Sequence, residues 1–283
     1  MPCSAAPRPT WATLAPLALL TACGGGVGQV EVTAWAEETV IEGIATDDGW
    51  QVDFDHWVTG FGEIVLSSVD KGDAVAEAEG PWVADWAQAG ALLPVTTIDE
   101  VPADRHDFGF STHVVLSSST PVNDVPADVL EVMLNEGYAQ HIAGVATKGD
   151  QSVAFSWGFP TAVSYGPCAN GQDGTDGVAV NEDEATEAQI WFHADHLLWD
   201  QLGTEEAGLA FDVIAAADAD ADGTVTTAEL EAVDVVAAGY ETAGVDVADL
   251  FDFITFSVSQ MAHLNGGGGC TARGYEGGHD HDH

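Results

Sequence analysis

Positive charge is what this sequence has least of: 5 Lys plus Arg stand against 47 Asp plus Glu in 283 residues, a formal net charge of −42. A field of that sign repels phosphate backbones and anionic lipid headgroups, so nucleic acid is excluded as an expected partner, whereas cations are concentrated near the surface. Long apolar runs are also scarce. After the N-terminal leader nothing approaches the roughly 20 apolar residues of a membrane-spanning helix. The sequence contains no G-x-S-x-G elbow, H-E-x-x-H pair, phosphate-binding loop or dinucleotide fingerprint. The expectation is therefore a protein that is not an enzyme. A hydrophobic fraction of 46% is ample for a folded core, which excludes a disordered acidic tail.

Cysteine is sparse as well, with 4 in the chain. Residues 1–22 read as an export leader: Arg8 is its charge, ATLAPLALL its apolar stretch, and Leu20-Thr21-Ala22-Cys23 ends it like a bacterial lipobox. Cys23 is then the expected lipidation site and residues 23–28 a flexible tether. The partners expected are calcium and a membrane reached through the lipid, at the cell envelope, with no protein partner legible. Cys3 leaves with the leader, so Cys168 and Cys270 remain, and in an oxidising compartment they are expected to form a disulfide. The alternative is a Cys-containing metal site, although no CxxC spacing favours it.

Residues 29–187 read as an antiparallel β-sandwich. QVEVTAW, WQVDFDHWV, EIVLSSV, PVTTI, STHVVLSSS and SVAFSWGF alternate and are rich in Val, Thr, Phe and Trp, with one helix expected over PADVLEVMLNEGY. Residues 169–187 read as a polar loop, with a short strand at GVAV. From residue 188 the period changes. AQIWFH reads as a last strand, and DHLLWDQL, EEAGLAFDVIAAAD, TTAELEAVDVVA and DVADLFDFITFSVSQMAHL read as helices. The expected fold class is thus α+β, an antiparallel β-sandwich followed by a C-terminal helical portion, residues 188–264, containing one EF-hand. Residues 265–283 form a Gly/His-rich tail whose His279, His281 and His283 are either a loose metal scavenger or a solubilising end.

DADADGTVTTAE, residues 218–229, has the spacing of a calcium loop. Such a loop takes oxygen ligands at positions 1, 3, 5, 7, 9 and 12 and a glycine at 6. Asp218, Asp220, Asp222, the Thr224 carbonyl, Thr226 and Glu229 occupy the ligand positions, and Gly223 the turn. An unpaired hand suggests Ca²⁺ held constitutively at about 0.1–1 mM affinity rather than a switch. The second constellation is IWFHADHLLWD. His193 and His196, with Asp195 between them, have H-x-x-H spacing, and His263 is the candidate third ligand for copper or zinc. The competing reading is that these histidines are buried and satisfied by hydrogen bonds. His56, His106, His113 and His141 read as surface or edge residues.

Asp48-Gly49-Trp50, Phe155 to Phe159 (FSWGF), His193 to Leu197, the loop 218–229 and His263 with Cys270 together resemble a group of bacterial EF-hand-containing lipoproteins, a resemblance that spans nearly the whole mature chain after the leader. More distantly, Trp191-Phe192-His193 followed by His263 resembles the copper-binding proteins of methanotroph-type bacteria, of the MopE, CorA and MbnP kind. That resemblance implies an exported β-rich protein that uses histidine and an oxidised tryptophan on copper. The functional expectation is metal binding or handling at the cell envelope. Its alternative is a calcium-stabilised structural or protein-interaction module without a transition-metal role.

Overall fold

The computed structural model describes residues 25–88, 92–204 and 206–274. The leader, Cys23 and the histidine tail lie outside the described residues. Strand accounts for 45% of the structure and helix for 17%, arranged as one curled, mixed sheet that closes halfway to a barrel. Among the described residues neither the two-sheet sandwich nor the C-terminal helical portion with an EF-hand is found. The sheet runs in the order Thr224–Val225, Gln151–Phe159, Gln140–Lys148, Gln51–Ser68, Arg105–Thr112, Ser164–Cys168, Gly268–Arg273, Ala262–Leu264, Ala185–Phe192, Val27–Ala36, Leu93–Pro102.

The long strand Gln51–Ser68 makes the curl. Its register slips between Phe54 and His56 against Gln140–Lys148, and again between Gly62 and Val65 against Arg105–Thr112. An extra residue on one strand bends it and increases the local twist, so a single 18-residue strand can serve two differently oriented parts of the sheet. The core is filled by aromatic rings, with Trp57, Trp86, Trp157, Phe61, Phe108, Phe159, Phe211 and Phe253 all essentially inaccessible. A smaller cluster lies under the helix Ala127–Glu136, where Val129 and Met133 cover Val58, Val83 and Val115.

The C-terminal third departs from the expected helices for local reasons. The helix read over DVADLFDFITFSVSQMAHL is confined to Leu250–Val258, because Asp249 caps it, accepting from the Asp252 N–H at 2.9 Å, and the following residues turn into the strand Ala262–Leu264. The stretches flanking the acidic loop shorten to Asp212–Ala216 and Thr227–Leu230, and DHLLWDQL to a 3-10 turn at Ala194–Leu198. Ala185–Phe192 is a strand, as expected, but short strands follow it. GGGG, residues 266–269, is part of a tight hairpin. A Cβ on Gly268 would sit 2.1 Å from the Ala169 carbonyl oxygen and 2.4 Å from the Gly171 nitrogen, so only glycine lets these backbones meet. That hairpin carries Cys270 opposite Cys168, and the two form the expected disulfide. Among the described residues no helix is long and apolar enough to cross a membrane.

Candidate metal centre

The site is assembled by strand register. Val27–Ala36 pairs in parallel with Ala185–Phe192, placing Trp35 opposite Trp191 and Ala36 opposite Phe192. Parallel strands end on the same side, so the next residues, Glu37 and His193, emerge together. The strand Ala262–Leu264 pairs antiparallel on the other edge of Ala185–Phe192 and sets His263 opposite Trp191. The turn Ala194–Leu198 then brings in Asp195 and His196. Trp35 lies over Trp191 with ring centroids 3.9 Å apart, and the His193 N–H donates to the Met261 carbonyl at 2.9 Å, which secures the corner.

The three sequence-proposed histidines become neighbours. Ring centroids lie 4.1 Å apart for His193 and His263, 6.1 Å for His193 and His196, and 5.9 Å for His196 and His263. Their ring nitrogens do not close into one ligand set. Among the described residues, the set whose ligating atoms all lie within 4.8 Å of one another at this corner is Glu37, His193 and Asp195. Asp195 was read in sequence only as a neighbour. Glu37 was missed, because a parallel pairing across more than 150 positions leaves no trace in local spacing.

Glu37 Oε1 lies 2.9 Å from His193 Nδ1, while Oε2 accepts from the Ala194 N–H at 3.2 Å and the Thr39 hydroxyl at 3.1 Å. Burial pushes the Glu37 carboxyl up, but the hydrogen bond and charge of His193, with the two other donors, hold it below its ordinary value. Burial likewise works to lower the His193 pKa, and the hydrogen bond and charge of Glu37 outweigh it, so the net direction is upward. Asp195 is pushed up, first by burial and then by the charge of Glu37. His196 is driven down to about 3 and His263 to about 4, by burial and by neighbouring histidine charge. Both are neutral at neutral pH, the form that ligates a metal.

Four buried polar atoms here lack a hydrogen-bond partner: His193 Nε2, Asp195 Oδ1, His196 Nδ1 and His263 Nδ1. The backbone at Gly266, Ser257 and Gly267 acts to raise the pKa of His193, His196 and His263 respectively, although the four atoms have no partner at hydrogen-bond geometry. An unmet buried polar atom costs about 1–3 kcal/mol, so each of the four calls for a partner; His106 Nδ1, His113 Nε2 and His141 Nδ1 are likewise buried without one.

The acidic loop is the second candidate site. Asp218, Asp220 and Asp222 gather their carboxylates within 4.8 Å. Asp218 accepts from the Asp222 N–H at 3.1 Å and the Gly223 N–H at 2.9 Å, and Gly223 takes φ +85° at the turn. Thr224–Val225 pairs in parallel with Ala154 and Phe155, so the loop is stitched to the sheet edge. Glu229 stands outside the three-carboxylate set. It accepts from the Thr226 N–H and hydroxyl, both at 2.9 Å, and from the Ala219 N–H at 3.0 Å, forming a capping box with Thr226.

The other histidines are not surface residues as a group. His106 and His141 are buried, with His106 Nε2 2.8 Å from the Pro102 carbonyl oxygen and His141 Nε2 3.1 Å from the Ser156 hydroxyl. His56 is half-buried against the inaccessible Asp85, at 3.0 Å. His113 Nδ1 lies 3.0 Å from the Val114 carbonyl oxygen. No protein-family model matches this sequence, and comparison with curated proteins and with solved structures gives no match either.

Proposed function

We propose that this protein binds a transition metal, copper or zinc, at the corner formed by His193, Asp195, His196 and His263, and that it serves metal binding or handling at the cell envelope. The observation that supports the reading is that His193, His196 and His263 are neighbours, while His193 Nε2, Asp195 Oδ1, His196 Nδ1 and His263 Nδ1 are each buried without a partner. Imidazole nitrogens with a carboxylate oxygen are the donor set that copper and zinc take in proteins. In the same proposal Ca²⁺ occupies the loop 218–229, with Asp218, Asp220 and Asp222 as its charged ligands, Thr224 and Thr226 contributing oxygen, and Glu229 swinging from its cap to close the site. Lipid on Cys23 would hold the chain at the membrane.

The test is elemental mass spectrometry on the full chain, purified without an affinity tag or chelator. His279, His281 and His283 are replaced by alanine so that the tail does not contribute. Calcium plus one equivalent of copper or zinc is expected, the latter lost in His193→Ala and His263→Ala. The acidic loop supports a second reading, a calcium-stiffened interaction module with inert histidines. Calcium without any transition metal, even after titration with Cu²⁺ and Zn²⁺, would establish that reading in place of the first.

A further inference from the structure

We infer that Glu37 is a positioning residue of the metal corner, which holds the His193 ring by Nδ1 and so presents Nε2 to the metal. This rests on the transition-metal reading above. Three observations carry it.

Both Glu37 oxygens are already committed, Oε1 to His193 Nδ1 at 2.9 Å and Oε2 to the Ala194 N–H and the Thr39 hydroxyl. These bonds hold both the His193 ring and the turn after it, the arrangement of an outer partner that orients a ligating histidine. Asp195, in contrast, has Oδ1 buried without a partner, and its Oδ2 has only a 3.4 Å bond from the Trp199 indole N–H. Of the two carboxylates, Asp195 is the one with a buried oxygen left unpartnered. Lastly, His193 Nε2 is buried and unpartnered. An imidazole that donates from one nitrogen offers a lone pair at the other, so the Glu37 bond decides which nitrogen faces the site. Residue 37 sits directly after the strand that runs parallel to Ala185–Phe192, so the positioner and the ligand are delivered by one strand pairing.

The experiment measures Zn²⁺ affinity by competition with a chromophoric chelator, in the full chain with the three tail histidines replaced. Nitrogen NMR of the metal-free protein reads the His193 tautomer. Glu37→Ala should weaken Zn²⁺ about 10- to 100-fold, the usual effect of removing the partner that orients a ligating histidine. Glu37→Gln, whose amide oxygen still accepts from Nδ1–H, should recover most of the affinity and keep Nε2 unprotonated. Parent-like affinity in Glu37→Ala would overturn the positioning role while leaving the metal site intact. Glu37→Gln as weak as Glu37→Ala, with the tautomer unchanged, would make Glu37 a ligand and also overturn it. Failure of the parent itself to bind Zn²⁺ or Cu²⁺ would remove the metal reading and this inference with it.

Discussion

His141, on the strand Gln140–Lys148, faces His56, Asp85 and the Ser156 hydroxyl, with the Tyr138 ring stacked nearby. Burial lowers its pKa, the charge of His56 adds to this, and Asp85 works against both. A histidine whose folded pKa is depressed is protonated first in the unfolded chain. Its contribution to stability is complete above about pH 6.5 and is lost as the pH falls toward the folded value. Denaturant midpoints should therefore drop on acidification from about pH 7 to pH 5, and His141→Gln, which keeps a donor for Ser156, should drop less than the parent. Equal slopes in the two proteins would show that His141 does not report the acid sensitivity. At the metal corner the same physics runs through His196 and His263, held neutral by burial, while His193 is pulled the opposite way by Glu37. Such divergent shifts among adjacent groups mark functional sites more often than plain cores.

The acidic loop shows how an element can keep its ligand spacing and lose its expected surroundings. Its helices shrink to Asp212–Ala216 and Thr227–Leu230, and the sheet edge replaces them as support. The Ala154 N–H donates to the Gly223 carbonyl at 2.8 Å and the buried Trp157 indole N–H to the Val225 carbonyl at 2.9 Å. Calcium bound there should stabilise the sheet edge itself, because a ligand taken only by the folded state raises its stability. In thermal denaturation, Ca²⁺ should raise the melting temperature of the parent but not of Asp218→Ala, and Glu229→Ala should show a reduced shift at most. An undiminished shift in Asp218→Ala would place calcium elsewhere.

Across the whole molecule, the sheet passes through the hairpin formed by Ala262–Leu264 and Gly268–Arg273, which joins the strands around Gln51–Ser68 to those around Val27–Ala36. The Cys168–Cys270 disulfide, spanning 102 residues of sequence, staples that junction. On the chain-entropy account a loop of this length stabilises the fold by about 4–5 kcal/mol. The Cys168→Ser/Cys270→Ser double variant should lose about that much in equilibrium denaturation. A loss below about 1 kcal/mol would mean that the hairpin is held by its backbone pairing alone. Because the hairpin also carries His263 opposite Trp191, the same variant should bind Zn²⁺ more weakly.

What could be read from residue order alone is what short-range chemistry specifies. The calcium-type spacing of 218–229, the alternating strands, the helix Ala127–Glu136 and the Cys168–Cys270 pair belong to this class, although the pair was chosen by elimination rather than by geometry. The helices expected after residue 188 failed because apolar positions at helical spacing also suit a chain packed from several sides. Val258 and Met261 are buried either way, yet the chain beyond them pairs as strand. His193, His196 and His263 could be named from sequence as candidates, but their convergence needed the register of three strands. Glu37 could not be named at all. Its place beside His193 follows from a parallel pairing between residues near 30 and residues near 190, two strands whose Val30, Val32, Ala34, Ala188, Ile190 and Phe192 are buried in one core, and not from the neighbours of either residue.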